Sequence, residues 1–235
     1  MLEDYSLTVG KGLLSKLLTM WGLNIRRKVK LNKPSALKKM LWDLGDSTNL
    51  IRNKTITKLL EVITGDITEI TFAEGRGKAY LSVHKDILGQ LVYGHNLGLN
   101  MKKDLVLNSL KKSVENIQKL AHNNISELDI IWHQDQGSQY TSYDYVDSIL
   151  KVGKISYSRI ATPTDNGGQE SFFGRFKDEC SEEFLECTTF EELQKLVGKK
   201  IQYYNNRRIH TSIGYVAPMK YTKSLLKSGI ISSAN

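Results

Sequence analysis

An α/β fold, a mixed sheet with helices on both faces, is what this 235-residue sequence predicts. Three observations carry that expectation. Residues 61–72, 79–87 and 91–96 are short runs rich in β-branched and aliphatic residues, parted by turn signals. Beyond residue 100, strand-like runs alternate with helical periodicity, giving the order β-β-β-α-β-α-β-α-α. Tight turns join the first three strands and helices separate the later ones, so antiparallel and parallel pairs share one sheet.

The elements follow in order. Leu13, Leu14, Leu17, Leu18 and Trp21 form one apolar stripe, predicting a helix over residues 7–22 that ends at Gly22. With the Asn24-Ile-Arg-Arg-Lys28 that follows, it reads either as the tail of a helix-turn-helix with a basic arm or as a core-packing helix. Residues 25–60 read as a linker with a short helix near 34–43. Glu74-Gly-Arg-Gly77 is a turn between strands. Leu105, Leu107, Leu110, Val114, Ile117 and Leu120 predict an amphipathic helix over 101–121. Residues 129–133 read as a buried strand, Thr141-x-x-Asp144 as a capping pattern for a helix through Leu150, and residues 154–160 as a strand. A helix is expected from Asn166 to about Glu183, capped by Asp165 or Asn166. Thr189-x-x-Glu192 caps another that reaches about Asn205.

The net charge of +8 is unevenly spread. Residues 1–60 hold 12 Lys and Arg against 4 Asp and Glu, while residues 61–235 hold 21 of each. Such a basic segment, with Arg26, Arg27 and Lys28 at its centre, favours a polyanion, or is a solvated linker. Cys180 and Cys187 form no CxxC pair, which excludes a zinc finger and a disulfide framework and fits a reducing cytoplasm. No run approaches the roughly 20 apolar residues of a membrane span, and the N-terminus lacks a signal-peptide pattern.

Chemistry concentrates between Asp135 and Lys177. Asp135 ends the apolar run Ile130-Ile-Trp-His-Gln, with 34 residues between it and Glu170, and Asp66 lies within the run Val62-Ile-Thr-Gly-Asp-Ile. Alternation places Thr64, Asp66 and Thr68 on one strand face, and His133 and Asp135 on one face of another. Helical spacing places Glu170, Gly174 and Lys177 together, with Phe173, Phe176 and Cys180 on the neighbouring core face. Three carboxylates suit magnesium or manganese, and two such ions can clamp the oxygens of a phosphoryl displacement. Strand-end aspartates are also turn formers, and acids in a first helical turn are also dipole partners. Spacing leaves both readings open, with Asp86, Asp165 and Glu69 as rival acids. The tail stretch 199–210 interleaves Lys199, Lys200, Arg207, Arg208 and His210 with Tyr203 and Tyr204, which fits either a phosphate track with stacking rings or a solvated helix end.

Five ordered segments carry a family resemblance: Gly65-Asp-Ile-Thr-Glu-Ile70, Tyr80-Leu-Ser-Val-His-Lys-Asp86, His133-Gln-Asp-Gln-Gly-Ser-Gln-Tyr140, Asp165-Asn-Gly-Gly-Gln-Glu-Ser-Phe-Phe-Gly-Arg-Phe-Lys177 and Tyr204-Asn-Asn-Arg-Arg-Ile-His210. The chain resembles bacterial insertion-sequence transposases with a retroviral-integrase-like core, specifically the product of the second reading frame. The resemblance implies an RNase H-like fold with a five-stranded mixed sheet. It implies Asp66, Asp135 and Glu170 as the metal-binding catalytic acids for two Mg²⁺ or Mn²⁺ ions. Lys177, Arg175, Arg207, Arg208 and His210 are implied contacts to DNA, alongside Arg26, Arg27 and Lys28. The implied reaction is hydrolytic cleavage at an element end, then attack by the freed 3′-hydroxyl, with no covalent protein–DNA intermediate. Implied partners are the element's terminal repeats, target DNA, further copies of the chain and the upstream-frame product.

The expected organisation is a partial helix-turn-helix and basic linker at 1–60, a catalytic core at 61–221 and a tail at 222–235. The sequence departs from the family pattern at Gln134, where serine is usual, and in lacking a tryptophan before Asp66. Its N-terminal resemblance starts abruptly, which keeps open a truncated DNA-binding competitor; a second alternative is an RNase H-like nuclease that does not join strands, over which the basic N-terminal quarter favours an end-binding transposase.

Overall fold

The computed structural model describes residues 10–21, 36–122, 124–158 and 167–233. It divides into two units, residues 1–35 and 36–235. In the first, α1 spans Lys11–Met20 and Trp21 is its C-cap. Gly22, Arg26, Arg27 and Lys28 lie outside the described residues, and so do the expected caps Asp165 and Asn166.

The second unit begins with α2 (Ala36–Leu44) and then builds a five-stranded sheet from β1 (Val62–Phe72), β2 (Gly77–Asp86), β3 (Val92–Gly98), β4 (Ile131–Gln134) and β5 (Lys154–Tyr157). The strand order is β3-β2-β1-β4-β5. β1–β2 and β2–β3 are antiparallel, while β1–β4 and β4–β5 are parallel, the mixed pattern the sequence predicts.

Strand alternation sorts side chains into two cores. On one face α3 (Lys103–Ala121) and α4 (Tyr143–Leu150) bury Val106, Leu110, Ile117, Tyr145 and Ile149 with Ile63 and Trp132. On the other, α5 (Gly167–Glu186) and α6 (Phe190–Asn206) bury Phe172, Phe176, Phe184, Leu193 and Val197 with Ile70, Leu81 and Val83. Phe173 and Cys180 join this second core as expected. At about 25 cal/mol per Å² of apolar surface, these two faces supply most of the drive to fold.

α3 approaches the sheet closely because β3 presents Gly94 to it. A Cβ there would lie 2.2 Å from Ser113 Oγ and 2.3 Å from the Ser109 carbonyl oxygen. Ser109 Oγ also lies 2.8 Å from Nδ1 of the buried His84, whose Nε2 lies 2.9 Å from Tyr145 Oη.

One expectation needs correction. Thr141 does not cap α4: its hydroxyl donates to the Gly137 carbonyl at 3.1 Å, and Ser142 occupies the N-cap. The closer turn carbonyl captures the hydroxyl. A last helix, α7, spans Pro218–Lys227. Beyond it, Ser232 N donates to the Leu59 carbonyl at 2.8 Å, which joins the C-terminal segment to the start of β1. By contrast, the capping box of α6 forms as read. Glu192 N donates to Thr189 Oγ1 at 3.2 Å, and Thr189 N donates to Glu192 Oε2 at 3.3 Å. Thr189→Ala should therefore lower stability by about 1 kcal/mol in chemical denaturation with little change in m-value.

Candidate active site

The register of β1 and β4 brings the two aspartates together. Thr64 pairs with His133 and Gly65 with Gln134, so Asp66 and Asp135 stand side by side one residue further on. Paired neighbouring strands lie about 4.8 Å apart. Alternation places Asp66 on the α5 side, the face that carries Thr64, while Asp135 follows the end of β4. Gln134 alternates to the opposite face and is fully buried, so its departure from serine falls away from the acids.

α5 supplies the third acid, and a residue that spacing did not single out holds that helix in place. Thr64 Oγ1 donates to Gln169 Oε1 at 3.0 Å, and Gln169 is 1% exposed. This bond sets the first turn of α5 over β1, two residues along the strand from Asp66. Glu170 follows directly and is exposed. Burial raises the Asp66 carboxyl to about 7, and the negative charges of Asp135 and Glu170 push it the same way.

The carboxylates adjoin without forming a closed cage. Among the described residues, no three acidic, histidine or cysteine side chains converge on one ion-sized point. Asp66 Oδ1 accepts from Ile67 N at 2.7 Å, and Asp135 Oδ1 accepts from Gly137 N at 2.9 Å. The donor set nevertheless fits a hard divalent cation. It is all oxygen and carries three carboxylates.

Two of the rival acids, Asp86 and Glu69, have other work. Asp86 is buried and accepts from Leu60 N at 2.8 Å and Gly89 N at 2.6 Å, fixing the turn after β2. Burial raises it to about 6. Glu69 pairs with Lys78 at 2.8 Å on an exposed face. His133 is buried with Nδ1 2.9 Å from Ser156 Oγ, a structural position.

Lys177 lies on the Glu170 face of α5 and is partly exposed. Between them, a Cβ on Gly174 would meet nothing within 4 Å, so this helix face is open. Arg175 lies on a different face. With Lys200, Tyr203, Arg208, His210 and Glu179 it lines a cavity of about 100 Å³ between α5 and the end of α6. There Arg208 Nε lies 2.9 Å from both carboxylate oxygens of Glu179, and its charge lowers the Glu179 pKa. Burial, then the cations Arg208, Lys85 and Arg175, lower His210 to about 4, which leaves it neutral near pH 7. Tyr204 is buried edge-on against Phe172, with ring centroids 4.9 Å apart, and has no face free for a base. Tyr203 and Arg207 are exposed. The stretch 199–210 is thus split between core, an internal ion pair and surface.

An open five-stranded mixed sheet in the order β3-β2-β1-β4-β5, with helices on both faces, is the RNase H-like fold of integrase and transposase cores. The Integrase core domain family matches residues 153–218. An uncharacterized transposase-like protein of Haemophilus influenzae is 32% identical over 210 residues, covering 88% of this chain and 91% of that protein. The chain belongs to the insertion-sequence transposase family. The transposase for insertion sequence element IS904 of Lactococcus lactis is 30% identical, covering 69% of this chain; the chain spans 61% of that relative's length. Solved structures share the fold at low identity. The catalytic core of HTLV-2 integrase in complex with magnesium aligns with TM-score 0.53 at 14% identity, over 72% of this chain and 99% of that one. The Mos1 transposase catalytic domain with raltegravir and Mn aligns with TM-score 0.54 at 13% identity, over 85% and 96%. Among the described residues, no helix is long and apolar enough to cross a membrane.

Proposed function

We propose that the chain cleaves DNA at the ends of an insertion element and transfers the freed 3′-hydroxyl to a second phosphodiester. The observation that carries this reading is the side-by-side register of Asp66 and Asp135, with Glu170 near enough to raise the Asp66 pKa. Asp66, Asp135 and Glu170 would hold one or two Mg²⁺ or Mn²⁺ ions, which neutralise charge on the attacking and leaving oxygens. The chain's own contribution is positional. The sheet fixes the two aspartates on adjacent strands, and the Thr64–Gln169 bond fixes the start of the helix that bears Glu170. The open face at Gly174 lets a phosphodiester backbone approach, and Lys177 meets a phosphate beside the acids. Arg175 and Arg207 extend this contact. Arg208 and His210 support it by shaping the cavity wall rather than by presenting free charge. Arg26, Arg27 and Lys28 add sequence-independent attraction to DNA. The active form is a homo-oligomer on paired element ends, with the upstream-frame product as a further partner.

The test is incubation with a duplex bearing the element's terminal repeat and Mg²⁺. Nicked and joined products are expected, and EDTA should remove both. Nicking that never leads to joining would favour the nuclease reading. Binding without any product would favour the competitor. Lys177→Ala should weaken end binding and reduce the salt slope of log K by about 0.9, one phosphate contact. An unchanged slope in fluorescence anisotropy would leave Lys177 outside the DNA contact.

A further inference from the structure

α7 carries a basic face that the catalytic reading does not use. Lys220, Lys223 and Lys227 recur at i, i+3 and i+7, so they share one side of the helix. The other side buries Pro218, Thr222 and Leu225 against the second unit. All three lysines are exposed. Three adjoining grooves of about 460, 410 and 320 Å³ run beside them, reaching Asn206 at the end of α6 and Lys119 and His122 at the end of α3. No aspartate or glutamate lines any of the three.

Other exposed cations in the described residues, Lys102, Lys111, Lys199 and Arg207 among them, also lack an ion pair, but here four unpaired lysines gather around grooves that no acid lines. Lys54, Lys78, Lys151 and Lys154 each meet a carboxylate at 2.6–2.8 Å. Among the described residues, Lys119, Lys220, Lys223 and Lys227 meet none. Four unpaired cations around acid-free grooves repel one another, and a polyanion relieves that repulsion. The face also offers no large exposed aromatic anchor of the kind that dominates protein interfaces. Lysines on flexible stems suit phosphates, which need charge more than fixed geometry. Lys220 to Lys227 spans about 10 Å of helix axis, the axial length of about three successive phosphates on one DNA strand.

Its place in the fold sets this face apart from the acids. Just beyond α7, Ser232 bonds to Leu59 and to the Asp129 carbonyl, where the chain enters β1 and β4. Asp135 lies beyond the other end of β4, up to about 20 Å away along the strand. We infer that the α7 lysine face, with Lys119, is a second DNA-backbone surface that grips duplex remote from the reacting phosphodiester. This rests on the chain acting on DNA as proposed above.

The test replaces Lys220, Lys223 and Lys227 together with glutamine, which keeps stem length and helix propensity. Binding of mixed-sequence duplexes of about 40 and about 12 base pairs is followed across a salt series. On the long duplex the variant should lose about 2.7 from the salt slope, three phosphates at about 0.9 each. Cleavage and joining at a short element-end duplex should be unchanged. A triple Lys→Arg variant should retain the wild-type slope, and Lys223→Gln alone should lose about 0.9, which guards against misfolding of the triple variant. Wild-type slope in the triple glutamine variant, with a folded circular-dichroism spectrum, overturns the inference. So does an unchanged slope with altered sedimentation, which would assign the face to a second copy of the chain. Failure of the wild type to bind either duplex would instead overturn the DNA-directed function itself.

Discussion

Asp135→Asn should reduce strand cleavage and joining by roughly a thousand-fold, equivalent to about 4 kcal/mol of lost transition-state stabilisation. The substitution removes one negative charge and little else. An asparagine carbonyl still accepts the Gly137 N–H bond that Asp135 Oδ1 takes at 2.9 Å, so the turn after β4 survives. Thermal stability should stay within about 0.5 kcal/mol of wild type, because no buried partner is orphaned. DNA binding should persist, since the cationic surfaces are untouched. Gel-resolved products from an element-end duplex with Mg²⁺ measure the effect. Equal product from wild type and variant would remove Asp135 from the chemistry.

Gly94→Ala should be the most damaging single-methyl change to the fold. The added Cβ would meet Ser113 Oγ at 2.2 Å, but the decisive contacts are the Ser109 carbonyl at 2.3 Å and the Ser113 amide nitrogen at 2.6 Å. Those are backbone atoms of α3, and no rotamer change moves them. The helix must retreat from β3, stretching the bonds through which Ser109 Oγ reaches the carbonyls of Ser82 and Gly94 at 3.3 Å. Overpacking of this kind costs about 3 kcal/mol. For a unit of this size that lowers the melting temperature by about 6–12 °C, readable by calorimetry. A melting temperature within about 1 °C of wild type would mean that α3 and β3 are not in such close contact.

What the sequence made legible depended on range. The Thr189–Glu192 box is complete within four residues, so its chemistry shows in the sequence. The strands around Asp66 and Asp135 were readable from apolar runs, and alternation gave the shared face of Thr64 and Asp66 within β1. Their adjacency was not readable, because parallel register between β1 and β4 is set by tertiary packing across an intervening hairpin and helix. The family motifs supplied it instead. The 199–210 stretch left two readings open for the same reason. Glu179 lies 29 residues before Arg208, and no local spacing announces that the pair will meet. Tyr204 looked like a stacking ring until α5 brought Phe172 against it. α7 escaped notice because its buried side sets the polar Thr222 between Pro218 and Leu225, which interrupts the apolar pattern that marks a helix. Gly94 did carry a signal, since glycine within a strand marks close backbone approach.

The central claim is that Asp66, Asp135 and Glu170 form one divalent-metal site. Crystals grown with Mn²⁺ and examined by anomalous diffraction test it most directly. The account predicts a peak about 2.1 Å from carboxylate oxygens of both Asp66 and Asp135, with Glu170 drawn toward the same centre or a second one. Manganese bound elsewhere while these carboxylates remain unligated would contradict it.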